Sequence, residues 1–215
     1  TVTLSPTSLL FASSADTTTL VATLKDAGGT VISDAVVTWS SSNTAAATVS
    51  SAGLVTAVAD GTATITATAG SATAIASVTV TQVAVTVTLS PDSVNLSSLS
   101  DIATVTATVR DANDSTITSP TVTWNSSDTA VVTVSSAGVV TSVAEGMATI
   151  TATSGSVSGT AVVTVAQVAS AVELLPDSLV LASIGDTATL TATVVDAGGT
   201  VISGAVVTWL SSNTV

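Results

Sequence analysis

Threonine and small apolar residues alternate along much of this chain, most plainly in Thr62-Ala-Thr-Ile-Thr-Ala-Thr68, which sets Ala63, Ile65 and Ala67 on one face and hydroxyls on the other. A period of two is the signature of a strand with one buried face. Leu20, Ala22 and Leu24 mark a second such face, Ala76, Val78 and Val80 a third, and Val37 and Trp39 point inward on a further strand. Val49 and the run from Leu54 to Val58 supply shorter segments. Pro6 ends the alternation of Thr1 to Ser5, and because proline cannot donate to a ladder the first strand is predicted to kink there. Asp26-Ala-Gly-Gly-Thr30, Gly53 and Asp60-Gly61 separate the segments with residues that tolerate positive φ. Some six to eight short strands joined by turns, with no helical periodicity, predict an all-β sandwich and near-zero helix.

The pattern returns. Trp39, Trp124 and Trp209 stand 85 residues apart, inside Ala35–Thr44, Pro120–Thr129 and Ala205–Thr214. Pro6, Pro91 and Pro176 keep the same interval, as do Ala148, Ile150 and Ala152 or Ala161, Val163 and Val165 against their counterparts in the first copy. A fixed period of this length is read before any local feature. It predicts tandem sandwiches at 1–85 and 86–170 and a partial third at 171–215, running from its first strands through the Trp strand. Those strands alone leave the inner faces of Leu190, Val207 and Trp209 uncovered, so either the chain continues or strands of another molecule complete them. Thr1 is not an initiator residue, and the sequence reads as a processed form or a window on a longer protein. Between copies, Val78-Thr-Val-Thr-Gln-Val-Ala-Val-Thr-Val87 has no Gly or Pro, and Gln167 repeats the position of Gln82. Such a junction predicts a stiff, extended rod with regularly repeated geometry.

The succession Thr-Leu-Ser-Pro, Asp-Ala-Gly-Gly, Val-Thr-Trp-Ser-Ser-Ser, Ala-Thr-Val-Ser-Ser-Ala-Gly-Leu-Val-Thr-Ala-Val and Gly-Thr-Ala-Thr-Ile-Thr-Ala resembles the bacterial Ig-like domain of group two over the whole chain. The resemblance implies tandem immunoglobulin-like β-sandwiches on bacterial surface proteins, among them intimin- and invasin-like adhesins, with some members in phage virions and secreted enzymes. It implies an extracellular location, at the cell surface or secreted, and a role as a rigid stalk or spacer. A self-assembling extracellular filament is the alternative, and a carbohydrate- or receptor-binding module or a phage virion domain ranks behind both. The Trp strand resembles the antibody core, yet the flanking cysteine pair is missing, and Ala22 and Ala67 are placed to occupy similar space.

Composition narrows the chemistry. The net charge of −12 comes from 14 acidic residues against Lys25 and Arg110, which leaves no basic patch for nucleic acid or anionic lipid. Mean hydropathy is +0.74, but no continuous apolar run is long enough for a spanning helix, and aromatics at 2% are too few for the girdles of a membrane barrel. With no His, no Cys and one Lys, the common bases that activate a nucleophile are absent, and no catalytic, cofactor or metal residues are assigned. Paired carboxylates could serve a glycosidase, but the aspartates stand at repeated turns, where an Asx turn or cap explains them. Acidic residues recur at Asp16/Asp101/Asp186, Asp26/Asp111/Asp196 and Asp60/Glu145, and are read first as solvated turns, with calcium at the junctions, above all at the Asp111–Asp114 loop, as the lesser alternative. Asn95, Asn113 and Asn125 each open a glycosylation triplet. The expected partners are other Ig-like repeats of the same or neighbouring chains, including a homo-oligomeric fibre.

Overall fold

The computed structural model describes residues 1–213, so Thr214, the last residue of the third Trp segment, and Val215 lie outside the described residues. Among the described residues there is no helix. The first period folds as β1 (Val2–Ser5), β2 (Ser8–Phe11), β3 (Thr17–Thr19), β4 (Val21–Leu24), β5 (Thr38–Ser41), β6 (Ala47–Val49), β7 (Leu54–Ala57), β8 (Gly61–Ala69) and β9 (Ala72–Val80). The second repeats them as β10 (Thr86–Ser90), β11 (Ser93–Leu96), β12 (Ile102–Thr104), β13 (Thr106–Arg110), β14 (Thr123–Ser126), β15 (Val132–Val134), β16 (Val139–Ser142), β17 (Gly146–Ser154) and β18 (Val157–Val165). In the third, β19 (Ala171–Leu175) pairs with β20 (Thr191–Val195).

Three sheets form from the first nine strands: β2-β9-β8-β5, β3-β7-β6 and β1-β4, and the next nine give the same three orders. The predicted kink at Pro6 is a change of sheet. β1 runs antiparallel to β4, and beyond the cis Ser5–Pro6 bond β2 runs parallel to β9. All three sheets feed one core. Leu4, Leu9, Phe11, Leu20, Val55, Ile65, Val78 and Val80 meet there, with the small residues Ala47, Ala57, Ala63, Ala67 and Ala76 between them. Burying each Val, Leu or Ile contributes about 1.5–3 kcal/mol. The alternation assigned to Ala63, Ile65 and Ala67 and to Ala76, Val78 and Val80 is the buried face of β8 and β9, whose nine-residue ladder is the longest pairing of the first period.

The inward placement expected of Trp39 is realised only in part: it packs against the core but is partly buried, because it lies on β5, an edge strand of its sheet. Its ladder partner on β8 is Ala67, whose side chain is a single methyl group. From the other side the indole rests on Gly53, where a Cβ would stand 2.9 Å from Trp39 Cζ2 and 2.5 Å from the Leu20 carbonyl oxygen. Gly138 has the same place beneath Trp124.

By contact density the described chain divides into two compact units. The first takes in Thr1–Thr88, Thr108–Thr121 and Thr153–Ser158; the second takes in Leu89–Ala107, Val122–Ala152 and the residues from Gly159 on. The first therefore holds the first period with the β13–β14 and β17–β18 connections of the second, and the second holds the remainder of the second period with the described residues of the third.

Candidate functional site

Within the first unit, the loop between β13 and β14 meets the segment that leaves β9. That segment is hydrogen-bonded along its length: the Thr81 N–H donates to Phe11 O (3.0 Å), Val83 N–H to Ala12 O (2.9 Å) and Val85 N–H to Arg110 O (2.8 Å). Alternate amides thus point inward and Gln82 points the other way. Its own N–H donates to Asp60 Oδ1 (2.5 Å), and its side-chain Nε2 donates to Asp111 Oδ2 (2.8 Å).

Asp111 is 2% exposed, and each of its oxygens accepts two hydrogen bonds. Oδ1 takes the amides of Asn113 (3.0 Å) and Ser115 (3.0 Å), closing its own turn; Oδ2 takes Gln82 Nε2 and the Ser14 amide (2.8 Å). A buried carboxylate is tolerated only when its acceptors are satisfied in this way. Burial is the largest single influence on Asp111 and raises its pKa, but the donors from Gln82, Ser14, Ser115 and Asn113 together outweigh it and hold the group below its ordinary 3.8. Asn113 Nδ2 adds a bond to Ser14 O (2.8 Å) and another to Asp16 Oδ1 (2.9 Å), while Asp16 Oδ2 accepts the Ser13 amide (3.0 Å).

The second unit builds the same socket from residues 85 positions on. Asp196, also 2% exposed, accepts Gly198 N–H (3.0 Å) and Thr200 N–H (2.8 Å) on Oδ1, and Leu99 N–H (3.1 Å) and Gln167 Nε2 (2.9 Å) on Oδ2. The bond from Gln167 is the strongest influence here; against the opposing effect of burial it lowers the pKa, with Thr200, Leu99 and Gly198 assisting. Gln167 N–H donates to Glu145 Oε1 (3.0 Å), as Gln82 N–H does to Asp60. Ala166, Val168 and Ser170 repeat the backbone bonds, to Leu96 O, Ser97 O and Val195 O. The turn needs one positive φ, supplied by Gly29, Asp114 and Gly199 in the three copies, and Asp is among the few L-residues that accept it.

The sequence profile of the bacterial Ig-like domain (group 2) matches residues 1–80 and again 76–165. The chain belongs to the bacterial Ig-like domain (group 2) family. No curated protein sequence matches the chain. Among solved structures, this Ig-like chain is similar to invasin, a bacterial integrin-binding protein, with 19% identity and a TM-score of 0.51 over 95% of this chain and 48% of that one. It is also similar to the Escherichia coli adhesin FdeC, with 20% identity and a TM-score of 0.45 over 94% of this chain and 75% of that one. With the S-layer protein rSbsC it shares 26% identity at a TM-score of 0.39, over 86% of this chain and 27% of that one. The Ig-like chain thus spans about a quarter of the S-layer structure it matches.

The recurring acidic residues of the Ig-like chain are divided by the structure. Asp111 and Asp196 are not solvated turns; N–H donors occupy both oxygens of each. Asp16, Asp101 and Asp186 each cap the Ser turn three residues before them. Among the described residues no group of three or more His, Cys, Asp or Glu side chains stands close enough to hold a metal ion, and no helix is long and apolar enough to cross a membrane. Of the three glycosylation triplets, Asn113 has its side-chain amide committed to Ser14 and Asp16, whereas Asn95 and Asn125 are exposed. In the third period Trp209 is 54% exposed and lines an open groove of about 620 Å³ with Val172, Leu174, Val194 and Val207. The Gln82–Asp111 and Gln167–Asp196 pairs were missed as partners; the available signal was that both members recur at the same interval.

Proposed function

We propose that this chain is a non-catalytic part of an extracellular array of Ig-like repeats, divided at 85 and 170, which serves as a rigid stalk or spacer of a bacterial surface adhesin. The observation that carries this reading is the twice-built carboxylate socket. A tether that only kept two modules on one polypeptide would have no use for a buried Asp with four donors, or for connecting segments whose alternate amides are bonded. Desolvating a carboxylate is costly unless every lone pair is matched, so such a socket fixes an angle as well as a distance. With no His or Cys and a single Lys, the common bases that activate a nucleophile are missing, in keeping with a mechanical role.

The test is a deletion in the parent surface protein. Removing one period, residues 86–170, is expected to shorten its projection from the cell by one repeat and leave ligand binding intact in solution. If binding is lost, and is not regained when an unrelated Ig-like repeat restores the length, the spacer reading fails.

A further inference from the structure

Within the first unit a crevice of about 360 Å³ opens where the segment leaving β9 passes the loop between β13 and β14. Its volume is that of a site for a side chain or a short peptide segment. Val83, Ile117 and Pro120 give it apolar walls, and Asp60 is the one charged residue that lines it. Asp60 is exposed; its Oδ1 accepts the Gln82 N–H, and its Oδ2 has no hydrogen-bond or ion-pair partner among the described residues. Ser154 gives a second, independent sign. It is 7% exposed, stands on the buried face of β17 with Ala148, Ile150 and Ala152, and lines the crevice with a hydroxyl that has no partner among the described residues. A buried hydroxyl left unmatched calls for an explanation. Ala69 holds the same place in the first period, so the sandwich itself does not require a hydroxyl there.

The chain does not supply the counter-charge. Lys25 and Arg110 are its only basic side chains, neither lines the crevice, and Arg110 is engaged with both the carbonyl and the carboxylate of Asp114. A bare divalent cation finds too few oxygens, since among the described residues no group of three or more acidic side chains is gathered to hold one. An apolar side chain would cover Asp60 without matching its free oxygen, which is costly. A basic side chain meets both needs: its aliphatic stem packs on an apolar wall while its head group donates charge-assisted hydrogen bonds. We propose that this crevice is a docking site for a basic side chain of a partner protein, its stem against Val83, Ile117 and Pro120 and its head donating to Asp60 Oδ2 and the Ser154 hydroxyl. Arginine suits it best, because its fork presents N–H groups to two acceptors at once. The site adds a binding role to the spacer reading and does not depend on it.

Amide chemical-shift titration of the isotope-labelled full chain with acetyl-Gly-Arg-Gly-amide tests this, with the same peptide carrying citrulline for arginine as its neutral analogue. The arginine peptide is expected to shift the amides of Gln82, Val83, Ser154 and Gly155 saturably, and the citrulline peptide to bind about tenfold more weakly or worse. Asp60→Asn keeps the oxygen that accepts the Gln82 N–H and removes the charge, so it should weaken binding by a similar factor. Ser154→Ala, which introduces the residue already present at Ala69, should weaken it to a smaller degree. Asp92→Asn, at an exposed carboxylate outside the crevice, should leave it unchanged. Shifts spread over the acidic loops and reduced equally by Asp60→Asn and Asp92→Asn would trace the effect to net charge and overturn the proposal. The absence of a saturable shift at the crevice would overturn it as well.

Discussion

Replacing Gly53 by alanine probes the packing that holds the Trp strand to the rest of its sandwich. Gly53 sits at φ +79, and an added Cβ would lie 2.5 Å from the Leu20 carbonyl oxygen and 2.9 Å from Trp39 Cζ2. The first neighbour cannot yield cheaply: Leu20 is buried, and its own N–H donates to Gly53 O at 2.8 Å. Holding an L-residue in the left-handed region costs about 1–2 kcal/mol, and forcing a methyl into a filled site adds about 1–3 kcal/mol. Gly53→Ala should therefore destabilise the first sandwich by about 2–5 kcal/mol. Gly70→Ala is the matched control. Its φ is +58 but nothing lies within 4 Å of the new Cβ, so only the backbone part applies, about 1–2 kcal/mol. Native-state hydrogen exchange of the β8 amides reads the opening free energy locally, without assuming that the whole chain unfolds in one step. Equal losses in the two variants would refute the claim that the indole rests on this backbone.

Gln82→Ala removes a donor to a buried carboxylate and should cost about 1.5–3 kcal/mol, read as faster exchange of the Ser14 amide, which shares Asp111 Oδ2. The folded pKa values of Asp111 and Asp196 are lowered, so the stability they contribute is fully present above the ordinary value of 3.8 and is lost as the pH falls below it. The protection factors of the Ser14 and Leu99 amides, taken against the intrinsic exchange rate at each pH, should accordingly fall on acidification, and a chain carrying Asp111→Asn and Asp196→Asn should lose part of that dependence. Trp39→Ala should destabilise by about 2–4 kcal/mol, below the value for a fully buried ring, whereas Trp209→Ala in the open third period should cost under about 1 kcal/mol by denaturant melting of each variant.

The inner faces were legible because alternation is local. Ala63, Ile65 and Ala67, and then Ala76, Val78 and Val80, announce which side of a strand is buried wherever the strand ends up. Trp39 was overread, since a residue's type says how much it can bury but not whether its strand is an edge; β5 is one. Pro6 was recognisable as a break, but the parallel seat of β2 on β9 depends on a partner some 70 residues away. The sockets were half legible. Asp111 carries a strong local explanation as a turn former, and the loop containing it was weighed at a junction only as a place for calcium, behind a solvated turn. Its bond to Gln82 spans 29 residues and exists only when the ladder of the connecting segment sets the glutamine on the correct side. Periodicity showed that Gln82 and Gln167 shared a role without showing what it was.

The most direct test of the account is the distance between spin labels at Leu10 and Thr118, exposed positions of the first unit on either side of the Gln82–Asp111 contact. The absence of native cysteine makes two introduced cysteines the only labelled sites. A stalk built on locked junctions predicts a single narrow distance distribution that broadens when Gln82→Ala or Asp111→Asn opens the socket. A broad distribution in the unaltered chain, unchanged by either substitution, would contradict it.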